Sequence, residues 1–249
     1  MHWLVFAAVA AWSFTTAFAG GLVGLVLGNI RLPVIVFAAS SPAAGAGANI
    51  GISGVAAATA FVTHLRAGRI DWRLVAWMVP PSVAGAVGGS MVAAHLPGDA
   101  LLIVIGVALL VFGIDLLRPR RVPPRRQESG SGVRAAVIAG AVIGFLGGVV
   151  GLILGSLRMP ALLRFVGADP LRAVGTNLLV GVCVGVAGIA AHAPSGVDWT
   201  LFAVGATASI PGALLGSRLT GRLDERRLLL AVGTILLVAG TAAILQATL

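Results

Sequence analysis

Two arginines interrupt apolar sequence at matching places: Arg31 in GGLVGLVLGNIRLP (20–33) and Arg158 in GGVVGLILGSLRMP (147–160). A guanidinium is charged at every physiological pH and presents five N–H donors in a fixed fork, which suits planar or tetrahedral oxyanions. In apolar surroundings such a charge is costly unless function keeps it there. Each arginine lies two residues before a proline, Pro33 or Pro160, and proline suits the first turn of a helix, where a missing N–H costs nothing. The spacing predicts a short helix beginning just after each arginine, with free N–H groups and the positive dipole end turned toward the break. Gly28 and Gly155 allow backbone to come close to a ligand there. Asn49, Thr176 and Asn177 are expected to open the following helices and to donate hydrogen bonds toward the same place. Together these residues form the candidate substrate-binding set.

Each assignment has a plainer competitor. Glycines four residues apart (20/24/28, 147/151/155, 85/89, 181/185 and 212/216) serve close helix packing in many membrane proteins. The arginines could snorkel to an interface on their long stems, and the asparagines could be helix caps. His64 and His192, at the ends of equivalent segments, are candidates for proton coupling near neutral pH, although such histidines are more often interfacial. Asp71-Trp72 and Asp198-Trp199 read as a cap followed by an interfacial tryptophan.

Composition decides what kind of chain holds these residues. Of 249 residues, 58% are hydrophobic and only 10% are charged, against roughly 25% charged in a soluble domain. Too few polar groups exist to cover a water-facing surface, so the chain reads as an all-α integral membrane protein. Apolar stretches at 3–30, 74–94, 101–117, 135–157, 173–191, 199–217 and 228–247 approach or exceed the ~17–25 residues of a spanning helix. A barrel is not expected, because two-residue alternation is absent and a lumen would need more polar positions. The net charge of +9 comes from arginines placed between hydrophobic segments, which argues against a nucleic-acid partner and for a role in orientation. The single Cys183 allows no intramolecular disulfide and no cysteine metal site. Residues 1–19 superficially resemble a signal peptide, but no basic residue precedes the apolar run and 6–19 correspond to mid-chain 133–146, so they read as mature structure.

The duplication extends past the glycine stretch. At a constant offset of 127, Gly20, Gly24, Gly28, Arg31 and Pro33 match Gly147, Gly151, Gly155, Arg158 and Pro160; at 128, Asn49, His64 and Gly68 match Asn177, His192 and Gly196. The chain therefore divides into a first transmembrane repeat (1–117), a cytoplasmic linker (118–132) and a second transmembrane repeat (133–249). Six arginines in 118–134 mark that region as cytoplasmic. Equivalent loops elsewhere carry opposite bias. Arg66, Arg69 and Arg73 lie in 66–73, whose equivalent 192–198 has none, while Arg-free 95–100 corresponds to Arg222, Arg226 and Arg227. Opposite bias predicts inverted-topology repeats, a plan common in secondary transporters. Each repeat is expected to hold three spanning helices preceded by a broken or re-entrant helix pair. The second member of that pair, 33–44 or 160–167, is too short to cross.

Other chemistries lack support. There is no HExxH, no phosphate-binding Gly-Lys-Ser/Thr loop and no Cys/His cluster with metal spacing, so neither metal nor cofactor is expected. Gly20-Gly21-x-x-Gly24 has no strand before it, as a dinucleotide site would need. Ser13, Ser40, Ser53 and Ser156 have no evident base for nucleophilic catalysis, so an enzyme is not expected.

The duplicated glycine stretch closed by proline, with DPLRAVGTNLLVG (169–181) and SIPGALLGSRL (209–219) in the second half, resembles the TauE/SafE sulfite-exporter family over nearly the whole chain. The resemblance implies a multi-pass permease of the plasma (inner) membrane for sulfur-containing or organic oxyanions such as sulfite, sulfoacetate or related sulfonates. The related thiosulfate importers rely on cysteines that Cys183 alone does not reproduce. The expected partners are a small anionic substrate and the lipid bilayer, with a homodimer compatible. The expected activity is export by alternating access, with the anion at the junction of the repeats. A passive anion channel or a non-transporting membrane assembly protein is the alternative.

Overall fold

The computed structural model describes residues 2–92, 98–117, 130–150, 152–192, 196–220 and 222–248. Among them ten α-helices form and no strand: α1 (His2–Val23), α2 (Gly28–Ala38), α3 (Pro42–Arg66), α4 (Trp72–Val92), α5 (Gly98–Leu117), α6 (Gly130–Val150), α7 (Gly155–Ala161, continued by a π-helical stretch Leu162–Val166), α8 (Pro170–His192), α9 (Trp199–Thr220) and α10 (Glu225–Thr248). Among the described residues, six helices are long and apolar enough to cross a membrane, and α4 and α5 reach 21 and 20 residues. The outside is apolar too, with Phe37, Met91, Ile138 and Val186 exposed. That surface suits a hydrocarbon solvent rather than water. The linker residues 118–129 lie outside the described residues, and α6 begins just after them.

Local chemistry explains most helix starts. Ser41 accepts from the Ala44 N–H ahead of Pro42, a serine cap followed by a proline at the first helical position. Asp71, Asp198 and Asp224 accept from the N–H groups of Leu74, Leu201 and Arg227 and so cap α4, α9 and α10. Trp72 and Trp199 follow two of these caps and are exposed, as the sequence predicts.

The longest helix contacts are α1 on α9, α4 on α6, α5 on α10, and α3 on both α8 and α9. Their contacts fix direction. Phe14, Phe18 and Leu22 of α1 meet Gly212 and Gly216 of α9 in rising order, and Ala141 and Phe145 of α6 meet Gly85 and Gly89 of α4 likewise. Both pairs are parallel. A methyl at Gly216 would strike the Phe18 carbonyl, so the 85/89 and 212/216 glycines serve packing. In contrast, Ile50, Gly54 and Ala57 of α3 meet Gly188, Gly185 and Gly181 of α8, and Gly106 and Gly113 of α5 meet Gly240 and Gly233 of α10. Those two pairs run antiparallel, and each joins a helix to its own counterpart in the other repeat.

Two expectations need correction. The short helices do not begin at the prolines, just after the arginines: α2 starts at Gly28 and α7 at Gly155, so Pro33 and Pro160 sit inside them and the arginines lie in their first turns. Neither start has a side-chain cap, so no capping signal announced it. Asn49 and Asn177 do not open α3 and α8. Those helices begin seven residues earlier, at Pro42 and Pro170, which also removes the helix-cap reading of the asparagines.

Candidate functional site

The break between α1 and α2 is built by one glycine. Gly24 has φ +70°, and a Cβ there would run into Val174 of α8. The Leu25 N–H returns to the Gly20 carbonyl at 2.9 Å, a Schellman-type helix end with glycine in the left-handed position. The second repeat makes the same bond, Leu152 N–H to Gly147 carbonyl at 2.8 Å. The Gly21 and Leu22 carbonyls in the last turn of α1 accept from the Thr220 hydroxyl of α9 at 3.1 and 2.8 Å. Buried helix ends need such partners. Glycines 20, 24 and 28 therefore make a turn, not a packing seam.

From the break the chain turns back. Trp12 of α1 donates to the Ile30 carbonyl of α2 at 3.1 Å, and Gly45 of α3 lies against Val36 and Ala39 at the far end of α2. The eleven residues of α2 measure about 16 Å, roughly half the hydrocarbon core. Arg31 on its first turn is 2% exposed and Arg158 on α7 is fully buried.

Arg31 is clasped on one side. Its Nε donates to Asn49 Oδ1 at 2.9 Å, and its Nη2 donates to the Asn49 carbonyl at 3.1 Å and to Ser53 Oγ at 2.6 Å. None of these bonds uses Nη1. Asn49 Nδ2 donates back to the Gly28 carbonyl at 3.0 Å, and a Cβ at Gly28 would collide with Ser53 Oγ. The glycine thus leaves room for this polar ring. Arg158 Nη1 donates to Asn177 Oδ1 at 3.3 Å, and its Nε has no partner among the described residues. Asn177 Nδ2 donates to the Gly24 carbonyl at 2.6 Å and to the Gly155 carbonyl at 3.0 Å. One side chain therefore ties the two breaks together. Val26 from the first break packs on Gly155 and Gly181, completing the junction.

Arg31 and Ser53, with Thr16, Gly20, Leu25 and Leu178, line a cavity of about 10 Å³, room for about one water. In the second repeat a cavity of about 20 Å³ lies beside Gly147, Leu152, Ile153, Val184 and Ile50; it is apolar and does not reach Arg158.

No carboxylate pairs with either guanidinium among the described residues. An ion pair does form at the exposed start of α10, where Arg227 meets Asp224 at 3.4 Å, far along the chain from the junction. Two guanidiniums buried with carbonyl, amide and hydroxyl partners alone leave net positive charge in a low-dielectric place. That attracts an anion. No cluster of metal-ligating side chains occurs among the described residues.

Of the predicted residues, Arg31, Gly28 and Asn49 come together, as do Arg158, Gly155 and Asn177. Thr176 does not join them: its hydroxyl accepts from the Asp71 N–H at 3.0 Å, holding the α3–α4 turn. Pro33 is exposed and Pro160 is buried. His64 is fully buried against Gly175, and both ring nitrogens lack partners among the described residues. His192 ends α8, and its surroundings lie outside what is described. Sequence reasoning missed Ser53 as an Arg31 partner, and missed Thr16. The available signal was disagreement between the repeats, which put Gly181 and Ile143 at the matching positions.

Helices of spanning length, breaks between them and a buried cationic junction define a multi-pass membrane transporter. The family described as "Sulfite exporter TauE/SafE" matches residues 9–243, and the chain belongs to that family. It is 27% identical over 228 positions to a "Probable membrane transporter protein" of Xylella fastidiosa strain Temecula1, covering 85% of this chain and 86% of the relative. It is 27% identical over 242 positions to "Probable membrane transporter protein YjnA" of Bacillus subtilis strain 168, covering 90% and 94%. With "Probable membrane transporter protein y4hK" of Sinorhizobium fredii the identity is 28% over 249 positions, covering 91% and 93%. No solved structure matches the chain.

Proposed function

We propose that the protein is a transporter, not an enzyme, that carries small sulfur-containing or organic oxyanions across the plasma (inner) membrane, with sulfite and sulfonates as the substrate class. The observation that carries the reading is the pair of buried guanidiniums without carboxylate partners at the junction of two helix breaks. The family's description supports sulfite. Alternating access follows from two inverted repeats moving around a fixed central site, and the antiparallel contacts of α3 with α8 and α5 with α10 support that relation. The cavity beside Arg31 is too small for an oxyanion, so substrate enters only when its walls separate. Outward movement of an anion is favoured by an inside-negative potential, about 2.3 kcal/mol per charge per 100 mV, so export needs no coupling ion. A proton-coupled cycle would use His64 and His192.

A thermal-shift panel of oxyanions on the detergent-purified protein tests the reading. Sulfite or a small sulfonate is expected to raise the melting temperature in a saturating manner, while chloride at equal ionic strength does not. Equal curves for every anion contradict it.

A further inference from the structure

The repeats place matching arginines at the junction, but the polar lining is one-sided. Arg31 and Ser53 line a shared cavity, with Thr16 beside them. The matching positions of the second repeat are Arg158, Gly181 and Ile143; the apolar cavity beside Gly147 and Leu152 is lined by none of them, and no polar side chain stands in its wall. Arg31 is held by Nε and Nη2, which leaves Nη1 for another acceptor. Ser53 Oγ accepts the Arg31 hydrogen bond, and its own hydroxyl proton remains available to an acceptor in the cavity. Arg158 instead holds Asn177, whose amide spans both breaks.

We propose that the anion is bound by the first repeat alone, through Arg31 and the Ser53 hydroxyl, while Arg158 is a positioning residue that fastens the two breaks through Asn177. This rests on the transporter reading and deepens it. An oxyanion in this cavity accepts from Arg31 Nη1 and from Ser53 Oγ, and Leu25, Val26 and Leu27 complete the wall. Ser53 and the Arg31 fork then favour sulfite and sulfonates, which offer separate oxygens to the two donors at fixed directions, over spherical chloride. Thr16, whose hydroxyl already donates to Trp12 and Ser13 carbonyls within α1, shapes the cavity without joining the bond set.

The test is sulfite titration of the full-length protein in detergent, read as the apparent Kd from melting curves, for wild type, S53G, R31K and R158K. S53G reproduces the second repeat's residue and is expected to raise the apparent Kd about tenfold, the equivalent of one lost hydrogen bond, alongside a fall in the anion-free melting temperature from the lost Arg31 bond and a glycine inside α3. R31K keeps the charge but loses the fork and is expected to abolish the sulfite response. R158K keeps the local field; its apparent Kd is expected to stay within about threefold of wild type, while its anion-free melting temperature falls. An R158K loss matching or exceeding that of S53G, or an unchanged Kd in S53G, overturns the one-sided site and leaves the transporter reading standing. If wild type gives no sulfite response, the proposed substrate reading itself fails. Should R31K not fold, S53G against R158K decides alone.

Discussion

The first repeat holds its arginine by three bonds to its own α3, while the second holds its arginine by one, to an asparagine that also crosses to the first repeat. Arg31 is bonded to Asn49 and Ser53 of the adjoining α3, and Asn49 closes on Gly28. Arg158 reaches Asn177, and Asn177 reaches across to the Gly24 carbonyl of the first break. The copies differ here in Ser53 against Gly181, which accounts for the Arg31–Ser53 bond that Arg158 lacks. A hydroxyl keeps one guanidinium beside a polar cavity, whereas a glycine lets Val26 fill the matching place. The matched arginines carry equal charge, and their hydrogen-bond partners differ.

The largest stability effect that sharpens this contrast is at the asparagines. Asn177→Ala leaves two buried carbonyls and Arg158 Nη1 without partners, an expected loss of about 3 kcal/mol or more. Asn49→Ala leaves the Gly28 carbonyl and Arg31 Nε unpaired while the Asn49 carbonyl bond survives, so its loss should be about 1 kcal/mol smaller. Melting of both variants in the same detergent checks the order; equal losses would deny Asn177 its bridging role.

A smaller effect tests where the copies agree. Gly68 and Gly196 match at offset 128, have φ of +64° and +92°, and leave open space within 4 Å of where a Cβ would stand. Alanine at either is expected to lower stability by about 1 kcal/mol, through backbone strain alone, and by the same amount in both. A marked difference between them would show that the two repeats diverge outside the junction as well.

Much of this was legible in the sequence because glycine, arginine and proline leave positional marks. The matched stretch located both breaks, and the offset of 128 pairs α3 with α8, two helices that pack on each other. The starts of α2 and α7 were not legible: Leu27 and Leu154 precede them without a capping side chain, and the prolines, the strongest local signal, fall mid-helix. The start of α3 carried a readable Ser41-Pro42 signal, overshadowed by Asn49 and its match to Asn177. Ser53 was hidden for another reason. Matched positions reveal what both copies share, and the cavity's polarity lies in what they do not.

The central claim is saturable, charge-moving anion transport through a site that needs the Arg31 fork. Solid-supported-membrane recording on proteoliposomes, with sulfite concentration jumps, measures this directly. Wild type is expected to give transient currents that saturate with sulfite, and Arg31→Gln to give none. Currents rising linearly with sulfite without saturation, or equal currents in Arg31→Gln, would contradict it.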